Sequence, residues 1–246
     1  GSRLPAAVGV SVLRHAAGGA RALAVPGDTL EFARQAIRIG AGLLDVQEQI
    51  GLHLLAHEAA FLLDDPYAMS RHFRFIHAHG DALEVNRART LWISRAYAKL
   101  WIRGATQIGW NILAELGAVK RASLGHRDSR HEQIQAAERF LRSHRPRRTY
   151  ARIMRTPADR DPRSELVVTT TAMLLIQLLT IDPERMGVAA WIILREAIVH
   201  GPSPHTGMAF LYWSIRASQQ GAPWRHRYEL AMLARATADA SPGSAG

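Results

Sequence analysis

Residues 161–201 read DPRSELVVTTTAMLLIQLLTIDPERMGVAAWIILREAIVHG. Asp161-Pro162 and Asp182-Pro183 each open a long apolar run, and Gly201 closes the second. An aspartate before a proline signals a helix start. Its carboxylate accepts from orphan first-turn amides, and proline at the first helical position gives up only a donor that has no partner there. The uncharged run Leu166–Ile181 is shorter than the roughly 18–20 residues a spanning helix needs, and Thr169, Thr170 and Thr171 interrupt it. It reads as a buried core helix, with no transmembrane insertion.

Working outward, Pro162, Pro183, Pro204 and Pro223 follow at intervals of 21, 21 and 19 residues. Each interval fits one helix and a short connection, so consecutive helices should pack as antiparallel neighbours. Asp65-Pro66 and Ser203-Pro204 repeat the start signal. Asp28, Asp81 and Ser129 each stand three residues before a glutamate (Glu31, Glu84 and Glu132), which is capping-box spacing. No alternating apolar–polar strand pattern appears. These signals predict an all-α helical bundle of about eight or nine helices. The expected spans are residues 29–63, 66–79, 82–116, 130–144, 162–180, 183–200, 204–220 and 223–239, with a short helix near 5–23. Gly40, Gly42, Gly104 and Gly109 are expected to kink or divide the two longest. No residue-level repeat identifies a known solenoid family, so a compact bundle is expected.

The chain has 246 residues, 48% hydrophobic and 21% charged, which suits one large or two small folded domains and argues against disorder. The absence of cysteine excludes disulfide frameworks, thiol nucleophiles and cysteine-based zinc sites. Gly1-Ser2, with no methionine, reads as the scar of a cleaved tag. A cytoplasmic location is the default expectation.

The formal net charge is +10, and only Lys99 and Lys120 among the 31 basic residues are lysine. Between Lys120 and Arg163 stand 13 basic residues and five acids, a local charge of +8, which leaves +2 for the other 202 residues. A genome-wide arginine bias would not single out one segment, so the segregation calls for a local electrostatic explanation. One helix is expected within it, with Ile134, Ala137 and Leu141 on one face. His144-Arg145-Pro146-Arg147-Arg148 should stop that helix. The expected organisation is an N-terminal helical unit over 3–144, a basic linker over 145–161 and a C-terminal four-helix unit over 162–240. The candidate nucleic-acid-binding residues are Arg139, Arg142, Arg145, Arg147, Arg148, Arg152 and Arg155, whose guanidinium forks match phosphate oxygens. Phe140 and Tyr150 could add stacking surface.

Catalytic constellations are sparse. His53 and His57 are spaced i, i+4 on an expected helix, but two ligands do not make a site, and no metal or other cofactor is expected. Arg195-Glu196-Ala197-Ile198-Val199-His200 resembles the R-x4-H signature of HEPN ribonucleases, a helical family whose Arg and His act on RNA without metal. That resemblance implies Arg195 and His200 as a catalytic pair. Read from the residues alone, His200 sits in the last turn of a helix capped by Gly201, where imidazole suits the helix dipole. Trp92, Trp101 and Trp110 read as core or interface residues, and Trp191, Trp213 and Trp224 as packing within the C-terminal bundle.

The leading expectation is a non-enzymatic helical binding protein, able to self-associate as a homo-oligomer, whose arginine-rich segment contacts nucleic acid or another polyanion largely without sequence specificity. The alternatives are a HEPN-like metal-independent ribonuclease and a helical protein–protein interaction scaffold.

Overall fold

The computed structural model describes residues 5–120, 127–144 and 146–240 and is all-α, with 12 helices and no strand among them. They are α1 (Ala6–Ala22), α2 (Pro26–Ile39), α3 (Val46–Leu62), α4 (Pro66–His79), α5 (Ala82–Ala98) and α6 (Ile102–Glu115), followed by α7 (Arg127–His144), α8 (Pro146–Arg155), α9 (Pro162–Ile181), α10 (Pro183–His200), α11 (Thr206–Gln219) and α12 (Trp224–Asp239). No described helix is long and apolar enough to cross a membrane.

The count exceeds the expected eight or nine for three reasons. The span 29–63 divides at Gly40–Asp45, as its glycines suggested. The span 82–116 divides at Lys99–Trp101, where there is neither glycine nor proline and Leu100 adopts φ +59°. Gly104 and Gly109 lie inside α6 instead. A Cβ on Gly109 would stand 2.6 Å from Leu174, so this glycine serves the close approach of α6 to α9. The third addition is α8, which occupies residues expected to be irregular linker. Pro146 opens it harmlessly, and Pro146, Thr149 and Ile153 bury one stripe while arginine, a good helix former, takes four of the other seven positions.

The chain divides into two compact units, one ending at Leu100 and the other beginning at Trp101, rather than at the expected 145–161 segment. In the first unit, each helix packs on the next in sequence, and α3 also meets α1 and α5. This stepwise packing is that of stacked helical hairpins. The odd helices are 17 residues long and the even ones 14. The turns repeat as well. Ala24, Asp64 and Leu100, one past the C-cap of α1, α3 and α5, take φ +55°, +54° and +59°. Val25 N donates to Ala20 O and Asp65 N to Ala60 O, both at 2.9 Å, and Pro26 and Pro66 open the following helices. Buried positions recur at the same offsets: Val10, Ala17 and Ala20 in α1, Ile50, His57 and Ala60 in α3, and Asn86, Ile93 and Ala96 in α5. The small alanines let these helices approach closely. Capping boxes close the starts of α3 (Asp45, Glu48) and α5 (Asp81, Glu84). Asp28 lies in the first turn of α2 without serving as its cap, because Pro26 starts the helix earlier.

In the second unit, α9, α10, α11 and α12 pack in sequence, and α10 also receives α7 and α8. Asp161 caps α9 by accepting from Ser164 N (2.7 Å), and Asp182 caps α10 by accepting from Arg185 N (3.0 Å). Ile134, Ala137 and Leu141 form the buried face of α7, as expected. Ser203 does not cap a helix at Pro204. Its Oγ lies 2.9 Å from Thr206 Oγ1 and accepts from His205 N, and α11 begins at Thr206. Ser129, expected as a cap, falls within α7.

Candidate polyanion-binding face and groove

Helix α8 has two unlike faces. Pro146, Thr149 and Ile153 are buried, and α7, α10 and α12 cover that side. Burial of the Ile153 side chain contributes roughly 1.5–3 kcal/mol to holding the helix in place. Arg148, Arg152 and Arg155, spaced i, i+4, i+7, make an exposed stripe, and none is ion-paired among the described residues. Arg147 is also exposed, but its Nε lies 2.8 Å from Glu229 on α12 and part of its charge is answered there. Arg139 is exposed on α7. The backbone of Arg142 lies in α7, while its side chain and all of Arg145 fall outside the described residues. The structure thus brings four of the seven candidate arginines together on one short helix.

Beside that helix opens a groove of about 1610 Å³, bordered by Arg147, Arg148 and Tyr150 on one side and by Trp224, Arg225, His226 and Tyr228 on the other. Trp224 was expected to pack within the C-terminal bundle. Instead Trp224 is 62% exposed and Tyr228 58%, with ring centroids 6.2 Å apart, and the Arg225 guanidinium lies 5.9 Å from the Trp224 ring. The available signal was Pro223 directly before Trp224. A proline-opened helix places its first residues at the bundle end, where a large ring has no neighbour to cover it.

Arg195 and His200 do not form a free pair. Arg195 Nη2 donates to Ala118 O (3.1 Å) and lies 3.5 Å from Glu196 Oε1, while His200 Nε2 is 3.9 Å from Glu196 Oε2. The same buried carboxylate accepts from Ser164 Oγ (2.8 Å), which ties α9 to α10. A carboxylate beside both side chains opposes the entry of a phosphodiester.

The first unit holds a histidine cluster. His53 Nδ1 and His72 Nδ1 are 3.1 Å apart, so one nitrogen donates and the other accepts only while the pair is not doubly protonated. Burial pushes His53 down to about 4, with the Arg71 charge adding to it, and burial with neighbouring His53 pushes His72 down to about 3. His57, fully buried, places Nδ1 at Met69 O (3.0 Å) and Nε2 at Ala88 O (3.1 Å), joining α3 to α4 and α5. Burial lowers its pKa while the two carbonyls pull it up. His57 occupies the position of Ala17 and Ile93, which marks it as a core residue. Among the described residues, no group of three or more His, Asp or Glu is arranged to hold a metal.

The chain matches no family model, no curated protein and no solved structure.

Proposed function

We propose that this chain is a non-enzymatic helical binding protein whose second unit engages nucleic acid through the arginine face of α8. The observation that carries this reading is the stripe of Arg148, Arg152 and Arg155, exposed and unpaired among the described residues on a helix whose opposite face is buried. Three cations held in the open meet no acid among the described residues, and closely spaced phosphates answer their charge best. A rigid stripe of guanidinium groups reads backbone charge rather than base identity, so sequence preference is weak. Salt titration of binding to generic single- and double-stranded nucleic acid tests this. Engagement of about six phosphates gives a log–log slope near −4 to −5. Absence of binding at low salt overturns the reading.

The first unit favours a second, compatible role as a protein-interaction scaffold. Leu23, Leu62, Leu63 and Tyr67 stand exposed around its turns, and stacked hairpins commonly present extended surfaces to partners. Self-association is the simplest form of this role. Light scattering that finds only monomer at every concentration removes it. The Glu196 carboxylate favours both readings over a ribonuclease. Cleavage of RNA in EDTA by the purified chain, lost in both Arg195→Ala and His200→Ala, would reinstate that activity.

A further inference from the structure

We propose that the groove between α8 and α12 takes an unpaired nucleic-acid strand, its bases stacked on Trp224 and Tyr228 and its phosphates held by Arg148 and Arg225. This inference rests on the polyanion reading and narrows it to single strands. Size is the first argument. Small-molecule pockets occupy roughly 300–1,000 Å³, and this groove, at about 1610 Å³, exceeds that range as a channel for a short run of polymer would.

Charge is the second argument. Arg147, Arg148 and Arg225 border the groove together with the acid Glu229, which Arg147 already neutralises, so the remaining field calls for an anionic occupant. The third argument separates the polyanions. Trp224 and Tyr228 stand one helical turn apart on α12, both largely exposed, with Arg225 against the Trp224 ring. Large flat rings kept in water beside guanidinium groups match ligands that alternate flat faces with negative charge. Unpaired nucleotides are such ligands. A duplex hides its base faces in its own stack and could reach only the arginines. An acidic peptide would satisfy the cations but offer the rings no aromatic face of their own size.

The full-length chain is titrated with labelled oligo(dT), with a duplex of equal length and with polyglutamate, each followed by fluorescence anisotropy. Base–aromatic stacking contributes roughly five- to a hundredfold in affinity per base. The Trp224→Ala/Tyr228→Ala variant is therefore expected to bind oligo(dT) at least tenfold more weakly, with its duplex and polyglutamate affinities unchanged. Trp224→Phe/Tyr228→Phe, which keeps two rings, should retain most of the oligo(dT) affinity, and unchanged circular dichroism shows that each variant folds. If the alanine variant leaves oligo(dT) affinity intact while Arg148→Glu/Arg152→Glu/Arg155→Glu abolishes it, the stacking inference falls and the polyanion reading stands. Polyglutamate bound as tightly as oligo(dT), and equally weakened by the alanine variant, would replace the strand with an acidic protein. Failure of all three probes to bind at low salt removes both proposals.

Discussion

Arginines of the first unit and arginines of α8 are the same residue put to opposite uses. In the first unit three of them reach from one hairpin to the next: Arg14 to Glu48 (2.7 Å), Arg21 to Glu58 (3.0 Å) and Arg95 to Asp64 join elements distant in sequence. Arg95 is also the main reason the Asp64 carboxyl titrates below its ordinary range. On α8, Arg148, Arg152 and Arg155 reach no acid among the described residues. The function of a charge is decided by where the acids are, and the first unit supplies them at the positions its packing brings close.

The strongest way to break this comparison is charge reversal. Arg148→Glu/Arg152→Glu/Arg155→Glu should abolish nucleic-acid binding at low salt, by a hundredfold or more, while leaving the melting temperature unchanged. Reversal of Arg38, Arg74 and Arg87, also exposed but on the first unit, should weaken binding only slightly. Equal losses from the two triples would mean that α8 has no special role.

The next effect belongs to acid stability. His53 and His72 titrate near 4 and 3 in the folded chain and near 6.5 unfolded, so between these values the unfolded state holds more protons. Their contribution is therefore fully present above pH 6.5 and is lost as pH falls from 6.5 through 4 for His53 and on toward 3 for His72. Between pH 7 and pH 5 the expected loss in the first unit is on the order of 4 kcal/mol, about 2 from each histidine. Burial also lowers His205 in the second unit, which gives that unit a dependence of the same sign. Denaturant melts followed by hydrogen exchange at pH 7 and 5 measure both units. In His53→Leu/His72→Leu the pH slope of the first unit should flatten. An unchanged slope would show that the pair is not its source.

The smallest effect sharpens the comparison from the other side. Arg21→Ala removes a half-exposed pair between α1 and α3 and should cost about 0.2–1 kcal/mol, diminishing in high salt. A double-mutant cycle with Glu58→Ala measures it. A coupling of several kcal/mol would mean that hairpin stacking depends on ion pairs rather than on its alanine seams.

Much of the architecture was legible because it is written locally. Asp65, Asp81, Asp161 and Asp182 cap where their spacing said they would, since a cap needs only its own first turn. The hairpin repeat escaped because its signature is spread thinly. Leu23 and Pro26 recur as Leu63 and Pro66, and Asp45 and Glu48 as Asp81 and Glu84, while the buried positions between them change from Ala17 to His57 to Ile93. Packing preserves burial at these sites and lets identity vary. The division at Leu100 had no breaker to announce it: an exposed leucine takes there the positive φ that Ala24 and Asp64 take at the equivalent turns, and its N donates to Tyr97 O (2.8 Å). For the candidate site, the arginine segregation was visible and its helical stripe was not: a high density of charge looked like linker and concealed the buried triplet Pro146, Thr149 and Ile153.

The stepwise packing of the first unit also governs how that unit comes to be folded. Each helix finds its partners one or two elements away along the chain, so no contact there waits for distant ends to meet. Loop-closure entropy stays small, and it does not grow as hairpins are added. Folding can begin at whichever hairpin forms first and spread to its neighbours, as in a one-dimensional array. Pulsed hydrogen exchange during refolding should then find protection appearing hairpin by hairpin, and simultaneous protection of α1 through α5 would rule this out.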